Sequence, residues 1–172
     1  AFGPGRDTEL TLNRGQEPFI RFAGKIDRLD TAAVDGQTAA VVFDFKRTAK
    51  SASFARMLYG LDVQLPVYLL AVRQMREKTK QAPLVPAGAF FLPIEGGVDS
   101  QKLSQLGAET ATPNKARGLF DGRFADALDA AAAGSGWSRY YNFATNKDGE
   151  PYSHYGTSGA LNALRYYERL GW

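Results

Sequence analysis

Residues 39–46, Ala-Ala-Val-Val-Phe-Asp-Phe-Lys, set a carboxylate and an ammonium inside a run that is otherwise apolar. The run is rich in β-branched and aromatic residues and follows the turn-forming Val34-Asp-Gly-Gln37, so it reads as a buried strand. Side chains alternate across a strand, which sends Asp44 and Lys46 to one face and Phe43 and Phe45 to the other. A buried carboxylate is costly unless it is paired or bound to a metal. Any fold of this chain has to bring Asp44 a partner.

A second apolar run, Pro18 to Ile26, ends at Asp27. The short loop at Asp35-Gly36 makes this run the expected antiparallel neighbour of residues 39–46, so that Asp27, Asp44 and Lys46 converge at adjacent strand ends. Two readings stay open for such a cluster. It is an ion-pair group at a sheet edge, with Lys46 satisfying Asp44, or it is a metal site for phosphodiester chemistry. The second has a specific physical basis. A phosphodiester is an anion, so a water must be activated beside negative charge, and the transition state gathers more charge on its oxygens. A divalent cation lowers the pKa of a bound water and neutralises the phosphoryl oxygens. Magnesium prefers hard oxygen ligands and keeps several waters, so two carboxylates and one backbone carbonyl suffice from the protein.

Residues 53–80 have helical spacing, interrupted at Gly60. Leu61, Leu65, Leu69 and Val72 mark the apolar stripe, and Pro66 is tolerable in a first turn. Gln64 and Tyr68 are four apart and share a face. Taken alone the pair reads as a polar face turned to solvent; directly after the Asp-x-Lys strand, the crossover is expected to lay this helix over the cluster, and the preference reverses.

The order Gly24-Lys-Ile-Asp27-Arg28, then Asp44-Phe-Lys46, then Gln64-Leu-Pro-Val-Tyr68 resembles the PD-(D/E)xK nuclease superfamily, and within it the C-terminal nuclease domain of RecB- and AddB-type helicase–nuclease subunits. The likeness extends from about Leu10 to Arg73 and fades beyond Pro93. It implies an α/β fold, a restriction-endonuclease-like αβββαβ core with a mixed central sheet flanked by helices. It also implies a Mg2+- or Mn2+-dependent deoxyribonuclease in DNA repair and recombination, with exonuclease action the expected mode. Asp27 and Asp44 would be metal ligands with the carbonyl of Phe45, Lys46 the catalytic lysine, and Gln64 and Tyr68 the helix-borne pair beside the site. The implied partners are DNA, as ends or single strands, and a helicase domain or subunit of a parent complex. Many AddB-type relatives hold an iron–sulfur cluster on four cysteines; this chain has no cysteine, and no cluster is expected. The family also sets a helix ahead of its first strand, where this sequence has only Ala1 to Thr8. A catalytically inactive module of the same fold, guiding DNA or serving as a scaffold, is the alternative.

With 172 residues, 44% of them hydrophobic, the chain is expected to form one domain over its full length, excised from a longer protein. No apolar run reaches the length of a membrane span, and the lack of cysteine fits a cytoplasmic protein. The net charge of +3 permits nucleic-acid binding without requiring it. Cations are denser near the motif. Arg28, Arg47 and Lys50 are the expected phosphate contacts, whereas Arg73, Arg76, Lys78 and Lys80 read as the solvated, dipole-compatible end of the helix.

The remainder is less specific. Pro86 to Ile94 reads as a core strand returning from the helix, and 96–118 as a long polar connection. Phe120, Phe124, Leu128 and Ala131 step as a helix ending at Gly134. Trp137 to Thr145 and Pro151 to Tyr155 read as a hairpin about Asn146-Lys-Asp-Gly149, with aromatics that pack on a core or stack on bases. Leu161, Leu164, Tyr167 and Leu170 suggest a closing helix.

Overall fold

The computed structural model describes residues 1–6, 8, 10–14, 16–75, 82–95, 114–132, 136–148, 152 and 160–162. β1 (Leu10–Arg14) and β2 (Glu17–Phe22) pair antiparallel in a ladder of their own. β3 (Arg28–Val34) and β4 (Gln37–Lys46) form a hairpin closed by Asp35 and Gly36. Both turn residues take positive φ, 48° and 75°, as a two-residue turn matched to strand twist requires. Two helices follow, α1 (Phe54–Leu58) and α2 (Gln64–Gln74), and then β5 (Leu84–Pro93) returns parallel to β4. β6 (Arg117–Phe120), the short helix α3 (Ala125–Leu128), a ladder of β7 (Gly136–Trp137) with β8 (Ala144–Thr145), and β9 (Ala160–Asn162) complete the described elements. The central sheet is mixed, with strands in the order β3-β4-β5-β6-β9.

Of the expected αβββαβ order, β3, β4, α2 and β5 supply the strand–strand–helix–strand portion. The run Pro18 to Ile26 does not neighbour β4, contrary to expectation. Its strand pairs with β1, and the segment that pairs with β4 begins at Arg28, immediately after Asp27. The Asp-Gly turn therefore closes a tighter hairpin than the apolar run suggested.

α2 covers one face of the sheet, where Leu65, Leu69 and Val72 pack with Val42, Ala89, Phe91 and Leu10. Pro66 lies in its first turn, and Leu61, expected to begin the stripe, stands 65% exposed ahead of the helix. The opposite face carries Phe43, Phe90, Phe120 and Phe143, with Tyr141 packed against them. Between β4 and β5 the register steps from Ala40 opposite Pro86 to Val41 opposite Gly88, so Ala87 is an inserted residue. Such a bulge reverses the facing of every later side chain, which turns Ala89 and Phe91 toward α2.

Beyond β5 the sequence pattern misleads. Phe120 ends a strand, and the stretch after it is broken into 3-10 turns at Gly122–Phe124 and Ala130–Ala132 around α3. Residues 117 and 118, assigned to a polar connection, belong to β6, while 96–113 lie outside the described residues. β8 pairs with β7 across a loop in which Phe143 is buried and Tyr141 packs against the core. On the far side of Asn146 to Gly149, the Tyr152 N–H donates to the carbonyl of Ala144 at 3.1 Å, consistent with the expected hairpin, whose residues 149–151 and 153–155 lie outside the described residues. Trp137, Tyr140 and Tyr152 are exposed. Leu161 lies in a strand, and Leu164, Tyr167 and Leu170 fall outside the described residues.

Gly118 sits opposite Phe90 in β6, and a Cβ there would fall on the carbonyl of Ala89 and the Cα of Phe90. Backbone cannot rotate aside as a side chain can. Gly118→Ala should lower stability by about 1–3 kcal/mol or more, read from urea unfolding; an unchanged midpoint would contradict the packing of β6 on β5.

Candidate active site

The site lies where β3 begins and β4 ends. Asp44 leaves β4 toward α2 and is 4% exposed, on the face where Val42 and Phe91 join the core beneath that helix. Its Oδ1 accepts from Gln64 Nε2 at 2.8 Å and from the Tyr68 hydroxyl at 3.0 Å. Its Oδ2 meets the Lys46 ammonium at 2.5 Å, two residues along the same strand face, without a directed hydrogen bond. Four of the sequence-predicted residues therefore form one connected group.

Asp27, one residue before β3, is exposed, and its Oδ2 accepts from the backbone N–H of Phe45 at 3.0 Å. That bond ties the start of β3 to the residue between Asp44 and Lys46, which sets the two carboxylates on neighbouring strands. Phe45 itself turns its ring away, 40% exposed on the far face.

Gln64 and Tyr68 face Asp44 because α2 crosses directly from β4 to β5. Gln64 Nε2 also donates to the Tyr68 hydroxyl at 3.0 Å, and that hydroxyl faces the carbonyl of Lys25 at 3.2 Å. Burial raises the Tyr68 pKa, and the nearby Asp44 and Asp27 carboxylates add to the rise against the opposing Gln64 bond. The phenol accordingly stays protonated and able to donate at neutral pH. The solvent-facing reading of this helix face fails: Tyr68 is buried and Gln64 half-buried.

Several supporting residues carried no recognisable signal. Phe2 is 3% exposed and meets Tyr68 edge-on at 6.2 Å, while its backbone pairs with Gly24 at 2.8 and 3.0 Å. A Cβ on Gly24 would strike the Phe2 ring, so glycine is needed for this close approach. Phe91 lies beneath two ammonium groups, with Lys46 at 5.3 Å and Lys50 at 4.2 Å from its centroid. Only a register that includes the β5 bulge would have put it there.

The three expected DNA contacts each hold a carboxylate. Arg28 makes a two-point pair with Asp30 at 2.8 Å, which raises its pKa through the hydrogen bond and the charge. Arg47 pairs with Glu95 at 2.7 Å, and Lys50 with the buried Asp62 at 3.2 Å. Arg73 is exposed in the last turn of α2, and Arg76, Lys78 and Lys80 lie outside the described residues. Among the described residues no group of three or more His, Cys, Asp or Glu side chains comes together, and no helix is long and apolar enough to cross a membrane.

The chain is similar to known proteins over most of its length. The family model of the PD-(D/E)XK nuclease superfamily matches residues 2–141. Similar proteins from three bacteria are each named as a subunit of an ATP-dependent helicase/deoxyribonuclease. That of Caldanaerobacter subterraneus is 37% identical over 51% of this chain, that of Lactiplantibacillus plantarum 34% over 88%, and that of Geobacillus thermodenitrificans 25% over 98%. The chain spans only 7%, 13% and 15% of the length of these three relatives. A match over most of the chain, with the Asp-x-Lys strand and the Gln64–Tyr68 helix meeting at one carboxylate, establishes that the chain belongs to the PD-(D/E)XK nuclease superfamily.

Proposed function

We propose that this chain is a single nuclease domain of a cytoplasmic DNA-repair helicase–nuclease. It hydrolyses phosphodiester bonds of DNA, as an exonuclease, on ends or single strands supplied by a helicase domain or subunit. The observation that carries the reading is the convergence of Gln64, Tyr68 and Lys46 on the buried Asp44, with Asp27 held beside it. Together the donors fix the carboxylate in a single orientation at the open end of β4.

The donor set suits a hard divalent cation, since it consists of carboxylate and carbonyl oxygens. Asp44 Oδ2 meets only the Lys46 ammonium among the described residues, and a carboxylate oxygen has a second lone pair to give. Asp27, Asp44 and the carbonyl of Phe45 would hold magnesium or manganese. When bound, the ion supplies a water of lowered pKa and charge neutralisation at the phosphoryl oxygens. Lys46, 29% exposed at its side chain, stands between Asp44 and solvent, where its ammonium orients the attacking water or holds developing charge. Gln64 and Tyr68 keep Asp44 in place, Arg28 and Arg47 exchange their carboxylate partners for phosphates, and Lys50, 40% exposed at its side chain, reaches a phosphate while it keeps the buried Asp62. That exchange is cheap for the exposed pairs of Arg28 and Arg47, because surface ion pairs are worth only about 0–1 kcal/mol.

Metal should raise the melting temperature of the wild-type chain and not that of Asp44→Asn, which retains an acceptor for Gln64 and Tyr68. Equal responses to magnesium or manganese in both proteins would show the ligands to be misassigned.

Lys46→Ala should reduce cleavage of labelled DNA by roughly 10²–10⁴-fold while affinity for DNA changes little. Near-normal turnover would remove Lys46 from the chemistry, and the lack of cleavage by the wild type as well would favour a non-cutting module.

Binding should ignore base sequence and weaken with salt, each phosphate contact contributing somewhat under about one unit to the log–log slope. Replacing Arg47 and Lys50 by Ala should flatten that slope and lower affinity together. An unaltered slope would move the DNA path elsewhere.

A further inference from the structure

Between α1 and α2, large apolar side chains stand in solvent: Leu58, Tyr59, Leu61 and Val63 are 50%, 78%, 65% and 43% exposed. Four such side chains exposed within six residues are more than the scattered single apolar residues of an ordinary surface. The corner is held firmly. Gly60 takes φ 70° and bonds Met57 O at 3.1 Å, and the amides of Leu61 and Asp62 both reach Arg56 O, at 2.7 and 3.2 Å. The buried Asp62 is pinned by Lys50, whose ammonium in turn lies 4.2 Å from the Phe91 centroid. The side chains are thus presented from a fixed backbone.

The corner runs straight into the candidate active site. Val63 is followed by Gln64, which bonds Asp44, and the five steps from Tyr59 to Gln64 cover at most about 18 Å of chain. Arg56 is exposed on the same corner and Lys50 lies at its base, so positive charge adjoins the apolar surface. A duplex turns phosphates and sugars outward and buries its base faces, leaving four apolar side chains nothing to cover. An unpaired strand exposes those faces along with its phosphates, which fits both parts of the corner.

We propose that the Leu58–Val63 corner, with Tyr59 at its tip, is a base-stacking surface that holds unpaired nucleotides beside the Asp44 site while the exposed Arg56 takes their phosphates and Lys50 adds its charge without leaving Asp62. The proposal rests on the nuclease reading for its substrate. It differs in naming a surface that is independent of the metal and of the chemistry.

The test is equilibrium binding of the chain, without added metal, to a labelled oligothymidylate, to its duplex with oligodeoxyadenylate, and to an abasic strand of equal length. Tyr59→Ala should weaken binding of the oligothymidylate by roughly 5- to 150-fold, the worth of one base–aromatic stack. Tyr59→Phe should restore it, and neither variant should alter affinity for the duplex or the abasic strand. Unchanged binding of oligothymidylate by Tyr59→Ala, or equal weakening on all three probes, overturns the proposal; so does loss of association with a helicase partner while DNA binding is intact, which would make the corner a protein interface. Cleavage by the wild type with magnesium, followed in parallel, separates the two readings. Tyr59-dependent binding without cleavage supports the surface and defeats the nuclease assignment, whereas cleavage with Tyr59-independent binding does the reverse.

Discussion

The carboxylate of Asp44 is 4% exposed in the middle of a sheet, and satisfying it fixes how the surrounding elements meet. A hydrogen bond to a charged group is worth about 1.5–3 kcal/mol, and leaving a buried one unmade costs comparably. Gln64 and Tyr68 can both reach Asp44 Oδ1 only if α2 lies over the end of β4 with that face down. The apolar side chains Leu65, Leu69 and Val72 give α2 its place on the sheet, and the polar pair selects its rotation and axial position. Hydrophobic burial is non-directional and tolerates sliding; the carboxylate does not. Site and core packing are therefore one arrangement.

The same dependence reaches elements distant in sequence. Tyr68 is held from above by Phe2 and by the carbonyl of Lys25, so the segment ahead of β1 and the turn before β3 are both drawn to α2. From the other side, the bulge at Ala87 turns Phe91 onto the α2 face, where its ring supports Lys46 and Lys50. Without that inserted residue Phe90 would take this place, and the aromatic layer it forms with Phe43 and Tyr141 on the opposite face would be lost. One residue of register thus serves both faces of the sheet.

These particulars explain which features were legible in the sequence. Residues 39–46, the Asp35-Gly36 turn, the helix bearing Gln64 and Tyr68, and the return strand after it all depend on short-range signals: alternation, turn chemistry, helical spacing and a direct crossover. The convergence on Asp44 followed from them because each link is local. What failed was non-local. The run 18–26 is as apolar as a β4 partner would be, and only its pairing with β1 removes it from the sheet. Phe120 and Phe124 keep helical spacing by coincidence, one closing a strand and the other a 3-10 turn. Trp137 to Thr145, expected as one arm of a hairpin, itself folds back as β7 and β8 around a loop in which Phe143 is buried and Tyr141 packs on the core, a pairing that turn propensity does not signal.

The two carboxylates of the site are unlike in a way that bears on how a cation and a strand could be accommodated together. Asp44 is buried and already oriented by three side chains, so as the proposed ligand it would offer an oxygen whose ordering was completed on folding. Asp27 is exposed and restrained by the single amide of Phe45, which leaves it free to adjust. A site with one rigid and one yielding ligand loses little entropy on binding yet can still follow a phosphate as it moves, because preorganisation lowers the cost of binding where it exists and mobility remains where geometry must change. The surrounding cations repeat this division. Lys46 is confined between Asp44 and the ring of Phe91, whereas Arg28 and Arg47 are tied to exposed carboxylates that a phosphate can displace. Rigidity is thus concentrated at the buried carboxylate, and exchangeable contacts lie at the rim where a polyanion would arrive.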